Sequence, residues 1–174
     1  TIRAKGSKVE PISFEMEKVL LPSINAWWIL GPLECRADNP LDQPFLPEER
    51  IDFEALHPGK DGERITWQKY WRKIKPGDDL TSEFFVDFDD VFGKRVNETV
   101  VYGLTDLDAP DDMDATLVFG SDDGVKMWLN GEVVYRLNIG RPYSAKSDHV
   151  AVKLKKGTNT LLIKVHQGGG DGGF

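Results

Sequence analysis

A single cysteine in 174 residues rules out an intrachain disulfide, so no covalent staple holds this fold, and Cys35 reads as a small core thiol with no neighbouring cue for activation. Histidine is also scarce. His57, His149 and His166 do not form the closely spaced helical pair that zinc sites use. No apolar run approaches the ~20 residues of a membrane-crossing helix. Positive charge is in deficit, 22 Lys and Arg against 29 Asp and Glu for a net charge of −7, which opposes the phosphate neutralisation that drives nucleic-acid binding. DNA and RNA are discounted as partners on that ground. Ser121, Ser144 and Ser147 lack the glycine pattern of a nucleophile elbow, and no solenoid-type repeat is visible. The glycines of 168–173 have neither the Lys-Ser/Thr ending nor the following helix of a phosphate loop, and read as a flexible crossover that permits tight backbone approach.

What remains is the composition of an ordinary folded domain, 40% hydrophobic and 29% charged. The length suits one core. The polar, basic opening is assigned as a flexible lead-in over residues 1–13, which leaves 14–174 as a single domain. The chain begins at Thr1 with no charged-then-apolar signal segment, as expected of a processed or excised piece.

The densest local signal runs from Ser121 to Val134. Asn130-Gly131 between alternating apolar residues favours a type I′ turn, so 125–129 and 133–137 are predicted to pair as an antiparallel hairpin. Ahead of it, Ser121-Asp122-Asp123-Gly124 sets two carboxylates at a strand start, where hard oxygen ligands could converge on a cation. Val150, Val152 and Leu154 alternate with Ala151 and Lys153, and Leu161, Ile163 and Val165 with Leu162 and Lys164, giving two further strands around a turn at 155–159. Upstream, 27–33 reads as a strand that exits through Gly31-Pro32, and 64–71, 84–88 and 99–107 as three more. Residues 14–20 fit either a strand or a short helix, and 48–56 suit a short helix. Three prolines make 38–47 an irregular loop; 57–62 and 75–79 are turns, and the five aspartates within 106–114 make an acidic loop that 115–119 joins to the Asp-Asp turn. Eight or nine short strands punctuated by turns predict an all-β fold, an antiparallel β-sandwich.

The region from Phe119 to Phe174 resembles the second half of the protective-antigen-type β-sandwich of adhesins, toxins and glycosidases. It also resembles the galactose-binding-like jelly roll appended to bacterial glycan-degrading enzymes. The shared features are the Ser-Asp-Asp-Gly turn, the Trp128-Leu129-Asn130-Gly131 hairpin, a leucine-bearing strand beside a Lys-Gly turn, and a glycine-rich stretch closing on Phe174. The likeness spans the last third of the chain. The first family's opening motif has no counterpart, and the first half carries Trp27-Trp28-Ile29-Leu30-Gly31-Pro32 instead. The resemblance implies a jelly-roll topology with one more strand after Phe174, calcium (Ca2+) held by Asp122 and Asp123, and a secreted, periplasmic or cell-surface setting in bacteria.

Aromatic side chains that stack on sugar rings are the other candidates. Trp67, Tyr70 and Trp71 include strand neighbours of opposite parity, so one must face outward, and Trp71 is taken as a ligand contact. Trp128 is expected in the core. In the loop 140–144, Arg141 has the paired donors for sugar hydroxyls or a uronate carboxylate, and Tyr143 is placed to be exposed. No nucleophile, base and orienting group are spaced for catalysis, and the resemblance then implies a non-catalytic carbohydrate-binding module of a larger secreted bacterial protein, with a polysaccharide and the parent's other domains as partners. A structural interdomain sandwich without ligand, and a small β-sandwich lyase or hydrolase, are the alternatives.

Overall fold

The computed structural model describes residues 24–71 and 84–174; the assignments made for 1–13, 14–20 and 75–79 lie outside them. The chain is an antiparallel β-sandwich. Among the described residues its main sheet has six strands in the order β4 (Gln68–Trp71), β1 (Ala26–Glu34), β5 (Thr99–Ala109), β10 (Gly157–Gln167), β7 (Val125–Leu129) and β8 (Glu132–Leu137). A two-stranded sheet of β6 (Met113–Phe119) and β9 (Asp148–Leu154) packs on one face, and a short ribbon of β2 (His57–Pro58) and β3 (Arg64–Ile65) stands apart. Every strand pair among the described residues is antiparallel.

Alternation along each strand divides the side chains between two cores. Trp27, Ile29, Val101, Met127, Ile163 and their neighbours meet Val150 and Val152 of β9. Leu30, Val100, Tyr102, Trp128 and Leu162 point the other way, under residues 35–67. Covered on both faces, β5 and β10 are buried along most of their inner length. The buried Trp128 matches the sequence reading. The hairpin also forms as expected, with Asn130 at φ 53° and Gly131 at φ 84° joining Leu129 to Glu132.

Several boundaries move. The helix expected over 48–56 is replaced by a single 3₁₀ turn, Leu46–Glu48, after which Asp52 Oδ1 accepts the backbone N–H groups of Glu54 and Ala55 at 3.1 Å and turns the chain. The strand expected over 64–71 breaks at Thr66 and Trp67: the Thr66 hydroxyl donates to the Phe53 carbonyl, and Trp67 swings into the second core. Residues 84–88 are not a strand. They lead into a helix, α1 (Phe88–Phe92), whose N-cap Asp87 accepts from the N–H groups of Asp89 and Asp90 and whose C-cap Gly93 sits at φ 66°. Gly31-Pro32 does not end its strand, because β1 absorbs the missing proline donor in a register shift between Leu30 and Leu33 and continues to Glu34. Most of the expected acidic loop is strand: Asp106 and Asp108 ride on β5 and Asp114 on β6, leaving only residues 110–112 as a turn.

The largest revision is the glycine-rich tail, which is docked rather than flexible. Val86 N–H donates to the Phe174 carbonyl at 2.7 Å, Phe88 N–H to the Gly172 carbonyl at 2.9 Å and Asp122 N–H to the Gly173 carbonyl at 3.0 Å. The Phe174 ring sits edge-on to Trp27, 5.0 Å between centroids, over Gly103. A Cβ at Gly103 would stand 2.6 Å from that ring, so the socket exists because β5 carries a glycine there.

Candidate functional site

Asp122 and Asp123 lie in the turn entering β7, and their carboxylates are occupied by backbone. Asp122 Oδ2 accepts the Tyr143 N–H at 3.1 Å, while Asp123 accepts the Arg141 N–H on Oδ1 at 2.9 Å and the Gly168 N–H on Oδ2 at 2.8 Å. Two aspartates thus tie the 140–143 loop and the start of the tail to one turn. Burial pushes the Asp122 carboxyl up, and the neighbouring Asp123 charge adds to that, against the lowering effect of the Tyr143 N–H.

Arg141 is equally committed. Its Nε donates to the Ser121 carbonyl at 3.1 Å, Nη2 to Ser121 Oγ at 2.9 Å, and Nη1 and Nη2 grip the two oxygens of Asp148. Four of the five guanidinium N–H donors are therefore used inside the protein. Asp148 also accepts from Ser147 Oγ and Tyr135 OH, each at 2.8 Å. Burial raises the Asp148 carboxyl, but the hydrogen bonds from Arg141, Ser147 and Tyr135 outweigh it, so the group ends below the ordinary carboxylate range. Tyr143 is half-buried, its ring 4.3 Å from that of Phe85. Of this group sequence reasoning missed Asp148, whose partner across a loop has no periodic signature.

Trp71 lies elsewhere. It ends the edge strand β4 opposite Ala26 and is 60% exposed. Four strand spacings, roughly 19 Å, separate β4 from β7 in the sheet, so the aromatic candidate and the Asp122–Arg141 group cannot contact one small ligand. Around Trp71 is a cleft of about 270 Å³ whose lining includes Trp28, Phe53, Lys69, Leu104 and Asp106. The Trp28 and Phe53 rings are 4.6 Å apart, and Lys69 Nζ stands 4.8 Å over the Trp28 ring. Phe53 is 44% exposed. The signal for Trp28 was present, because Trp27-Trp28 on a strand must send one ring to each face, and Lys69 stands directly opposite Trp28 in the register. Phe53 had no such signal, as it arrives from an irregular segment.

No protein-family model matches the chain, and no curated protein or solved structure matches it. Two further polar features serve other ends. A hollow of about 420 Å³ over β6 and β9 holds Asp114 and Lys153, which pair with each other at 2.8 Å, and among the described residues no aromatic ring lines it. Lys164, fully buried in β10, donates to the Gln43 carbonyl at 2.6 Å, the Leu41 carbonyl at 3.3 Å and Glu48 Oε1 at 2.7 Å. Glu48 Oε1 also accepts from Tyr102 OH at 2.5 Å. This network fastens residues 41–48 onto the sheet, and burial holds the Lys164 ammonium below its usual range despite Glu48. Among the described residues no group of three or more His, Cys, Asp or Glu side chains converges on a metal position.

Proposed function

We propose that the protein is a non-catalytic carbohydrate-binding module whose sugar stacks in the Trp28–Phe53–Trp71 cleft. The observation that carries this reading is the 60% exposure of Trp71 on an edge strand, beside two further rings, a lysine and a carboxylate. A large aromatic left open at a sheet edge invites aggregation unless something covers it. Flat rings suit the C–H faces of sugars, while Lys69 and Asp106 supply a donor and an acceptor for hydroxyls. The resemblance of the last third of the chain to sandwiches that accompany glycan-active enzymes supports the same reading, and with it goes a secreted, periplasmic or cell-surface setting. Among the described residues the cleft lining holds a single carboxylate, Asp106, whereas glycoside hydrolysis uses two facing each other across the bond.

In this reading Arg141 and Tyr143 shape the opposite part of the molecule and do not touch sugar. Calcium at Asp122 and Asp123 would have to share oxygens that already accept three backbone N–H groups. Thermal unfolding with calcium and with chelator is expected to coincide; a calcium-dependent gain lost in the Asp122→Asn, Asp123→Asn double variant would return the pair to the site.

The test of the cleft is pull-down and calorimetry of the intact chain against a panel of plant and bacterial polysaccharides. Trp71→Ala is expected to remove binding while leaving the unfolding transition in place. Phe53, Leu56 and Trp71 are all exposed apolar side chains, an observation that favours a second reading, an interface with a neighbouring domain. Absence of binding to every polysaccharide would select it.

A further inference from the structure

We infer that the ligand is a neutral oligosaccharide chain laid across the strands, running from Trp71 over Asp106 towards Thr158. This deepens the carbohydrate-binding reading and rests on it.

The inference comes from what adjoins the cleft. On β5 and β10, Asp106 stands opposite Thr160 and Asp108 opposite Thr158. Thr160 Oγ1 donates to Asp106 Oδ1 at 2.9 Å, and Thr158 Oγ1 to Asp108 Oδ1 at 2.7 Å. By strand parity these four share the face of Leu104, Tyr102 and Lys164. Residues 35–67 cover that face as far as Leu104 and Leu162 and no further: Asp106, Asp108 and Thr158 are exposed and Thr160 is partly so. Asp106 belongs both to this ladder and to the cleft lining, so the aromatic floor passes directly into a polar one.

The chemistry of that floor selects the ligand. Each threonine has given its proton to a carboxylate, which leaves the threonine oxygen and the remaining carboxylate lone pairs as acceptors. A surface of acceptors pairs with a ligand rich in donors, which describes sugar hydroxyls. The same two carboxylates repel a uronate, and Lys69, the one cation in the cleft lining among the described residues, is held over Trp28 at the far end. From β4 to β10 is three strand spacings, roughly 14 Å, longer than a single sugar ring spans.

The experiment is isothermal titration of the intact chain with neutral gluco-, xylo- and manno-oligosaccharides of increasing length, and with galacturonate oligomers of matched length. Affinity for a neutral series is expected to rise with length beyond the disaccharide and to exceed that for galacturonates at low salt. Thr158→Val with Thr160→Val is expected to weaken the longer neutral ligands roughly tenfold and the disaccharide less. Asp106→Asn keeps the hydrogen bond from Thr160 but removes a charge, and is expected to narrow the discrimination against galacturonate several-fold. Tighter binding of galacturonates, or affinity independent of length together with ladder variants that bind like the parent, would overturn the inference while Trp71→Ala still abolished binding and upheld the cleft. Silence with every saccharide would overturn both.

Discussion

The turn at Asp122 and the cleft at Trp71 hold the same kinds of side chain, carboxylates, cations and aromatic rings, and use them in opposite ways. Around Asp122 the polar groups satisfy one another. Arg141 spends four donors on Ser121 and Asp148, and Asp123 accepts two backbone N–H groups. At the cleft Lys69 contacts only a ring face among its described partners, and Trp71 leaves most of its surface to solvent. A residue type that suits a ligand is informative only where the fold leaves it unsatisfied. Arg141 was a candidate sugar contact in sequence because guanidinium donors suit hydroxyls, yet the same donors suit a buried aspartate.

The comparison breaks first at Arg141. Arg141→Ala leaves Asp148, 8% exposed, as a charge deprived of its cation, and the expected cost is about 3–5 kcal/mol of stability. Denaturant unfolding measures it, and Arg141→Lys should recover only part because an ammonium cannot bridge both carboxylate oxygens and Ser121. A loss below about 1 kcal/mol would mean the pair behaves like a surface ion pair and that Arg141 is free for a ligand after all.

On the cleft side, Phe53→Ala removes a ring that is 44% exposed and is expected to cost no more than about 1.5 kcal/mol of stability. Its sugar affinity is expected to fall about tenfold through lost contact with Trp28. Equal losses of stability and affinity in this variant would erase the contrast between the two regions.

Acid sharpens it further, because the Asp122 region titrates. Burial lowers the His166 imidazole, against opposing pulls from Asp123 and Glu98; outside this region, on β2, burial likewise lowers His57. The unfolded chain therefore takes up protons before the folded one does. The stability these groups contribute is present above their ordinary pKa of about 6.5 and is lost as pH falls through their depressed folded values. Asp148, also depressed, behaves the same way at lower pH, below the ordinary carboxylate value. Melting temperature measured from pH 8 to pH 3 should fall in these two stages, and His166→Gln should flatten the first.

The smallest expected effect is at Asp122. Its raised pKa has the opposite sign: the contribution favours the folded state below the ordinary carboxylate value and is lost as pH rises through the folded value. Asp122→Asn keeps an acceptor for the Tyr143 N–H and removes the buried charge, so at pH 7 stability is expected to stay within about 0.5 kcal/mol of the parent. Chemical denaturation at pH 7 and pH 4 checks both the size and the sign.

How far the sequence was legible depends on whether a feature is local. The hairpin at Asn130-Gly131, the alternation in β9 and the all-β class were readable because turn chemistry and strand parity act over a few residues. Helix α1 carried its signals too, with Asp87 as cap and Gly93 as stop, but the run of phenylalanines before it reads equally as strand.

Sequence by itself determined the all-β class, the Asn130-Gly131 hairpin, the inward parity of strands such as β9 and β10, and the exclusion of an intrachain disulfide and of a long apolar helical run. Tertiary structure alone decided which parities were covered twice. Lys164 sits at an alternating position that a two-layer sheet would leave in water, yet Leu41, Gln43 and Glu48, more than 100 residues away in the chain, close over it. Trp71 alternates by the same rule and nothing among the described residues closes over it. The difference is physical: periodicity states which side of a strand a residue takes, while burial depends on whether a distant segment brings apolar area and hydrogen-bond partners enough to offset desolvation on that side.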